Sequence, residues 1–285
     1  MHRQIVVAML LLGASLPRAA LASGHGPVFA GATPTLGKGG WSFDQVWMGR
    51  TSDAPDTNDQ LLRTMISFGV TKDFQLSTSL PIALTTSSQM PMGRMMAMMS
   101  ANNDVEALAA WRFHGLPVGD GGRFESTAYF GATVPLESER AGIRTAPSAY
   151  TSAATGYASR AHYFWIGGGY QKYASDSGDQ LGDVASYSVV YGYRPPALRL
   201  DYPKPDFRFF IESVGEITGR ARHSGGAMAD TGGHVLMVGP TVLLLYKAYG
   251  IEGGVLFPVY QRTNGTQPAE RFRFGINVSY FFWLK

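Results

Sequence analysis

The chain has no cysteine, little charge and no long apolar run beyond its first residues. Without cysteine there is no disulfide framework, no thiolate metal site and no cysteine nucleophile. Charged residues make up 16% of the sequence. None forms a basic tract suited to a phosphate backbone, so nucleic acid is not an expected partner. A membrane helix needs about 20 apolar residues, and no stretch approaches that length. Enzyme signatures are missing too: there is no G-x-S-x-G, no H-E-x-x-H, no phosphate loop and no dinucleotide fingerprint. The six histidines are scattered, and no pair has metal-ligand spacing. Neither an enzyme nor a bound cofactor is expected.

What is present begins with a leader. Met1-His-Arg-Gln4 is a short basic start, Ile5 to Gly13 is apolar, and Ala20-Leu-Ala22 has the small-x-small form of a cleavage site. Pro17 and Arg18 interrupt the apolar stretch, which excludes an anchor. Residues 1–22 are therefore expected to be a signal peptide cut after Ala22. The leader contains Arg3 and Arg18 and no acid, so the mature chain carries 22 basic against 21 acidic residues. The isoelectric point near 9.0 thus overstates its basicity. Residues 23–40 follow as a segment rich in Gly and Pro, without a period, and are expected to be an extended periplasmic lead-in or a plug.

The last stretch is the most regular. Phe272, Phe274, Ile276, Val278, Tyr280 and Phe282 fall on one face, and Arg273, Gly275, Asn277 and Ser279 on the other. A strand alternates its side chains between two faces, so this one has an oily side and a wet side. Spread by alternation, 45% hydrophobic residues leave the mean hydropathy at only −0.04. Twelve such segments are predicted, at roughly 41–50, 60–69, 73–83, 103–114, 123–134, 150–160, 162–173, 184–193, 207–217, 234–246, 248–259 and 270–282. Their links alternate. One series is mostly compact: 70–72, 115–122, 160–161, 194–206 and 247. The other is longer and more polar: 51–59, 84–102, 135–149, 174–183, 218–233 and 261–269. Short turns at one end and long loops at the other define an outer-membrane barrel. The expectation is an all-β, antiparallel transmembrane β-barrel of about twelve strands over residues 41–285. An even count puts both termini in the periplasm.

Charges cannot face lipid cheaply, so those on the strands are assigned to the lumen: Asp44, Asp104, Glu106, Arg112, Arg123, Glu125, Arg208, Glu212, Glu216, Glu252 and Arg273. Two uses remain open. The charges line a narrow conduction path and select a small solute, or Glu and Arg pair across strands and close the interior. His25, in the lead-in, is a candidate plug residue. The second long loop concentrates Met90, Met92, Met95, Met96, Met98 and Met99. Thioethers are soft ligands suited to Cu(I), but flexible Met also fills irregular gaps and makes apolar surfaces. Metal contact, an apolar plug and capture of hydrophobic solutes all stay open. Expected partners are outer-membrane lipid and lipopolysaccharide, the barrel-assembly machinery, and a small solute or Cu(I); a closed structural barrel, the third alternative, would engage lipopolysaccharide through Arg140, Arg144, Arg220 and Arg222.

Several pieces run through nearly the whole mature chain. They are Gly24-His-Gly-Pro-Val-Phe29, Ala32-Thr-Pro-Thr35, Gly40-Trp-Ser-Phe-Asp44, Trp111-Arg-Phe-His114, Arg123-Phe-Glu125, Ala158-Ser-Arg160, Tyr191-Gly-Tyr-Arg-Pro-Pro196, Val238-Gly-Pro-Thr241 and Asn277-Val-Ser-Tyr-Phe-Phe282. In these the chain resembles the bacterial outer-membrane transporters of the MetA-pathway-of-phenol-degradation type. The resemblance implies a membrane barrel and export or uptake of a small solute, with links to metal resistance that suit the Met loop. It carries no catalytic residues. One departure is that Trp283-Leu-Lys285 follows Phe282, where such barrels end on the terminal aromatic.

Overall fold

Alternating side chains demand a sheet with two different faces, and a membrane demands that the sheet have no edge. The computed structural model meets both conditions. It describes residues 26–54, 58–85, 94–96, 99–100, 102–119, 121–200 and 203–284. Twelve strands form the barrel: β1 (Gly40–Ser52), β2 (Asp59–Gly69), β3 (Phe74–Thr85), β4 (Asp104–Val118), β5 (Gly122–Pro135), β6 (Ser148–Ala158), β7 (His162–Tyr173), β8 (Val184–Tyr193), β9 (Asp206–Thr218), β10 (Gly233–Tyr246), β11 (Tyr249–Thr263) and β12 (Glu270–Trp283). Each pairs antiparallel with its sequence neighbours, and β1 closes the sheet on β12. Closure runs from Gly40↔Trp283 to Ser52↔Glu270, so Trp283 belongs to the terminal strand rather than to a tail.

The short links are residues 70–73, 119–121, 159–161, 194–205 and 247–248, at the end that also carries Gly40 and Trp283. Lys247 turns with φ +56 in the two-residue link between β10 and β11. The expected 115–122 link is shorter than the sequence suggests. β4 runs on to Val118, and the register shift after Arg112 absorbs Phe113 as an extra residue. The opposite end carries the long loops, and three of them fold back as two-stranded ribbons: Arg94–Met96 on Met99–Ser100, Glu139–Arg140 on Ile143–Arg144, and Arg222–His223 on Gly226–Ala227.

The outer face exposes apolar side chains all round, among them Ile66, Leu80, Ile82, Val189, Ile211, Val242, Ile251 and Val278. In water this surface would be a liability, whereas in lipid it is the matching solvent. Aromatic rings border it at both ends, as interfacial girdles do. At the short-turn end Trp41 packs at a tilt against Phe68 at 4.6 Å and stacks on Phe282 at 6.1 Å, and Tyr280 stacks on Phe282 at 5.6 Å. Toward the loops Trp47 meets Phe274 at 5.1 Å. The fold and this band place the barrel in the bacterial outer membrane.

The inner face is less uniformly polar than strict alternation suggests. Met48, Met65, Trp165, Phe210, Val214, Met237, Leu243 and Leu256 point inward and are buried in one apolar cluster. They do not meet water. Their neighbours are Val28, Phe29 and Ala30 of the lead-in, which runs inside the barrel.

Candidate functional site: the barrel lumen

The lead-in is fixed by inner side chains from opposite walls. Gly39 N–H bonds to the Gly69 carbonyl (2.7 Å) at the short-turn rim. Deeper, Leu36 N–H donates to Gln75 on β3 (2.8 Å). Thr33 is held three ways: its hydroxyl donates to Glu125 (3.2 Å), its Oγ1 accepts the Trp165 indole N–H (3.0 Å), and its carbonyl accepts the Thr127 hydroxyl (2.6 Å). The Tyr129 hydroxyl bonds to the Ala32 carbonyl. At mid-lumen the fully buried Glu212 of β9 takes the N–H groups of Val28 (2.7 Å), Phe29 (2.8 Å) and Ala30 (2.8 Å), and the Thr241 hydroxyl (2.6 Å). Consecutive backbone N–H groups that converge on one anion form a nest. Here the wall carboxyl group of Glu212 takes the place of the anion.

The remaining charges form two layers. Near the long loops Arg273 binds Glu216 through two parallel contacts of 3.1 Å and Glu270 at 3.0 and 3.1 Å. Paired, bidentate geometry is what keeps a buried guanidinium tolerable. Arg63 lies 3.8 Å from Glu106 and donates to Ser79 (2.6 Å) and to the carbonyls of Asn102 (2.8 Å) and Asp104 (3.0 Å). Arg140 reaches Asp104 (3.5 Å), and Arg50 pairs with Asp59 (2.6 Å). Near the short turns Arg112 joins Asp73 (2.8 Å) to Glu125 (3.0 Å), and Asp206 pairs with Arg194 and Arg208. The Arg112 guanidinium holds the Asp73 carboxyl, in the turn outside the membrane strands, below the usual carboxylate range. Elsewhere on the wall Asn277 links Glu252 (3.0 Å) to Asp44 (3.3 Å), which also accepts from Ser42 (2.9 Å) and Ser279 (2.6 Å).

Of the acids and arginines singled out on the strands, Asp44, Asp104, Glu106, Glu125, Glu212, Glu216, Glu252 and Arg273 are buried. Arg123 is at the rim, with a side chain 52% exposed, paired with Glu125 at 2.9 Å; Arg208 is half-buried. Sequence reasoning missed Arg63, which is fully buried, and the acids Asp59, Asp73, Asp206 and Glu270. A cavity of about 50 Å³ remains beside the lead-in, lined in part by Phe29, Tyr129, Tyr150, Gln171, Ser188 and Glu216. His25, Met90, Met92 and Met98 lie outside the described residues. Met95, Met96 and Met99 fall in the ribbon of their loop.

Above the lumen the long loops are knotted together. Asp179 accepts N–H bonds from Arg144 (3.0 Å) and Ser224 (2.7 Å) and lies 3.1 Å from His223. Those N–H groups, with His223 beside them, hold its carboxyl below its ordinary value. Gln180 and Arg222 exchange both backbone bonds, and Ile143, Leu181 and Ala221 pack beneath.

No family model and no curated protein matches the sequence. Among solved structures the chain is similar to a COG4313 outer membrane channel from Pseudomonas putida F1, with a TM-score of 0.62, 14% identity, and coverage of 88% of this chain and 98% of that one. The KdgM porin follows at TM-score 0.43 and 12% identity, over 84% and 98%. OccK2 (OpdF) of Pseudomonas aeruginosa aligns at TM-score 0.38 and 11% identity, over 86% and 97%. The first of these shows the shared fold.

Proposed function

We propose that the chain is an outer-membrane channel for a small solute, with a lumen narrowed by residues 26–39 acting as a plug. The observation that carries this reading is the Glu212 carboxylate closed around three backbone N–H groups of the lead-in. A wall carboxylate devoted to a terminal segment makes a detachable contact. It consists of polar bonds and of apolar packing by Val28, Phe29 and Ala30, with no covalent tie. The similar Pseudomonas putida channel supports a conducting role. The short turns and both termini are assigned to the periplasm, so that the plug enters from that side. Charged layers at both ends and rings with hydroxyls around the residual cavity suit a small amphiphilic solute over a large ion.

The test is single-channel conductance of the refolded mature chain in a planar bilayer, beside a version lacking residues 26–39. Small or intermittent currents from the whole chain and large steady currents from the truncated one are expected. If a truncated barrel, shown to be folded by heat-modifiable gel mobility, stays silent, the channel reading fails.

A further inference from the structure

Every Asp and Glu of the twelve strands lies on the inner face, buried or ion-paired. The strand charges that face outward are Lys172, Arg262 and Arg271. All three are exposed cations, and all three sit where their strands meet the long loops. Arg271, at the register shift opposite Thr51, pairs with Asp53 (2.6 Å). The Arg262 side chain has no hydrogen-bond or ion-pair partner among the described residues.

Arg262 also ends an ordered row. Cross-strand pairs run Tyr170↔Ala185, Ala185↔Ile217, Ile217↔His234 and His234↔Arg262, straight across β7 to β11 on the outer face. Lys172 stands one step further toward the loops from Tyr170. The row is braced from below. The Tyr187 ring lies flat where a side chain at Gly215 would be, and its hydroxyl shares a 2.9 Å hydrogen bond with His234 Nε2. His234 meets the Tyr260 ring at 5.1 Å. Below the brace the surface is mainly apolar, with Val189 and Ile211 exposed.

We infer that this face is a docking shelf for a phosphorylated glycolipid of the outer leaflet, in the manner of lipid A. The apolar wall takes the acyl chains, the aromatic row lies at headgroup depth, and Arg262 with Lys172 neutralises phosphate. Charge complementarity selects this occupant. A zwitterionic leaflet gives no reason for outward charges of one sign at one rim, whereas an anionic headgroup layer attracts each nearby cation. The shelf lies on the outer wall and is independent of the lumen and its plug.

The experiment is native mass spectrometry of the refolded mature chain in detergent, titrated with diphosphorylated lipid A, its dephosphorylated form and inorganic phosphate. Retention of the diphosphorylated lipid is expected, with the dephosphorylated form at least tenfold weaker. The double variant Lys172→Gln/Arg262→Gln should lose roughly tenfold or more in affinity. Lys247→Gln, on the opposite rim, should lose nothing. Equal binding of the two lipids, an unchanged double variant, or an equal loss in Lys247→Gln overturns the proposal. Full displacement by inorganic phosphate also overturns it and makes the site one for small anions. The lipid comparison on the unmodified chain decides the matter even where the double variant fails to fold.

Discussion

Glu212 satisfies three backbone donors and one hydroxyl with two oxygens. Glu212→Gln keeps the size but puts an amide donor against donors. A buried donor left without its acceptor costs about 1–3 kcal/mol, so losing even one or two should free the lead-in. The absence of cysteine makes the readout clean. A cysteine placed at Ala30 should react slowly with a water-soluble thiol reagent and at least about tenfold faster in the Gln variant. Equal rates would remove Glu212 from the latch. Arg273 tests a different residue-scale effect. Arg273→Ala leaves Glu216 and Glu270 facing each other in a buried site, which should cost about 3–5 kcal/mol. Heat-modifiable mobility would show this as a lower transition temperature. These residues also mark the limit of sequence reading. That Glu212 and Arg273 face inward follows from their place in an alternating strand. That Glu212 binds backbone does not, because main-chain donors leave no trace in residue types. Arg63 escaped because Leu61, Arg63, Met65 and Ser67 share one inner face of mixed polarity, so β2 has no clean wet side.

At the scale of elements, the strands were legible and the loops were not. Alternation, turn length and an even count gave twelve antiparallel strands, with ends corrected mainly at the β4–β5 link. The long loops looked like polar connectors, yet residues 136–147, 174–183 and 219–232 form one knot around Asp179. Such contacts are tertiary and join segments up to 45 residues apart. The knot should depend on pH with a definite sign. The Asp179 carboxyl is depressed in the fold relative to its ordinary value of 3.8. Its stabilisation is therefore full above that value and is lost as pH falls below it, through the depressed one. Amide hydrogen exchange of Arg144 and Ser224, corrected for intrinsic rates, should be protected near neutrality and lose protection only in that acid window. Asp179→Asn should weaken protection at neutral pH and flatten the acid transition. An unaltered profile would show that the knot rests on Ile143 and its apolar neighbours instead.

For the whole molecule, the barrel is a sheet whose two faces have exchanged the usual roles. The outside is apolar and the charge is within. Sequence reasoning reached this through β12 and offered the lead-in as a plug, but it missed the inner apolar cluster. Met48, Trp165, Phe210, Met237 and Leu243 make sense only once the lead-in occupies the lumen. The inversion has a graded consequence along a single strand. Val189 and Ala185 both face outward on β8, Val189 in the middle of the apolar band and Ala185 in the row that ends at Arg262. Val189→Arg puts a charge at mid-membrane and should cost about 2–4 kcal/mol. Ala185→Arg puts the same charge at headgroup depth and should cost about 0–1 kcal/mol. Urea unfolding in lipid vesicles measures both. In detergent micelles, which have no fixed thickness, the gap should shrink. A gap of equal size in both media would mean that local packing on β8, and not membrane depth, sets the cost, and the shelf row would lose its claim to lie at the headgroups.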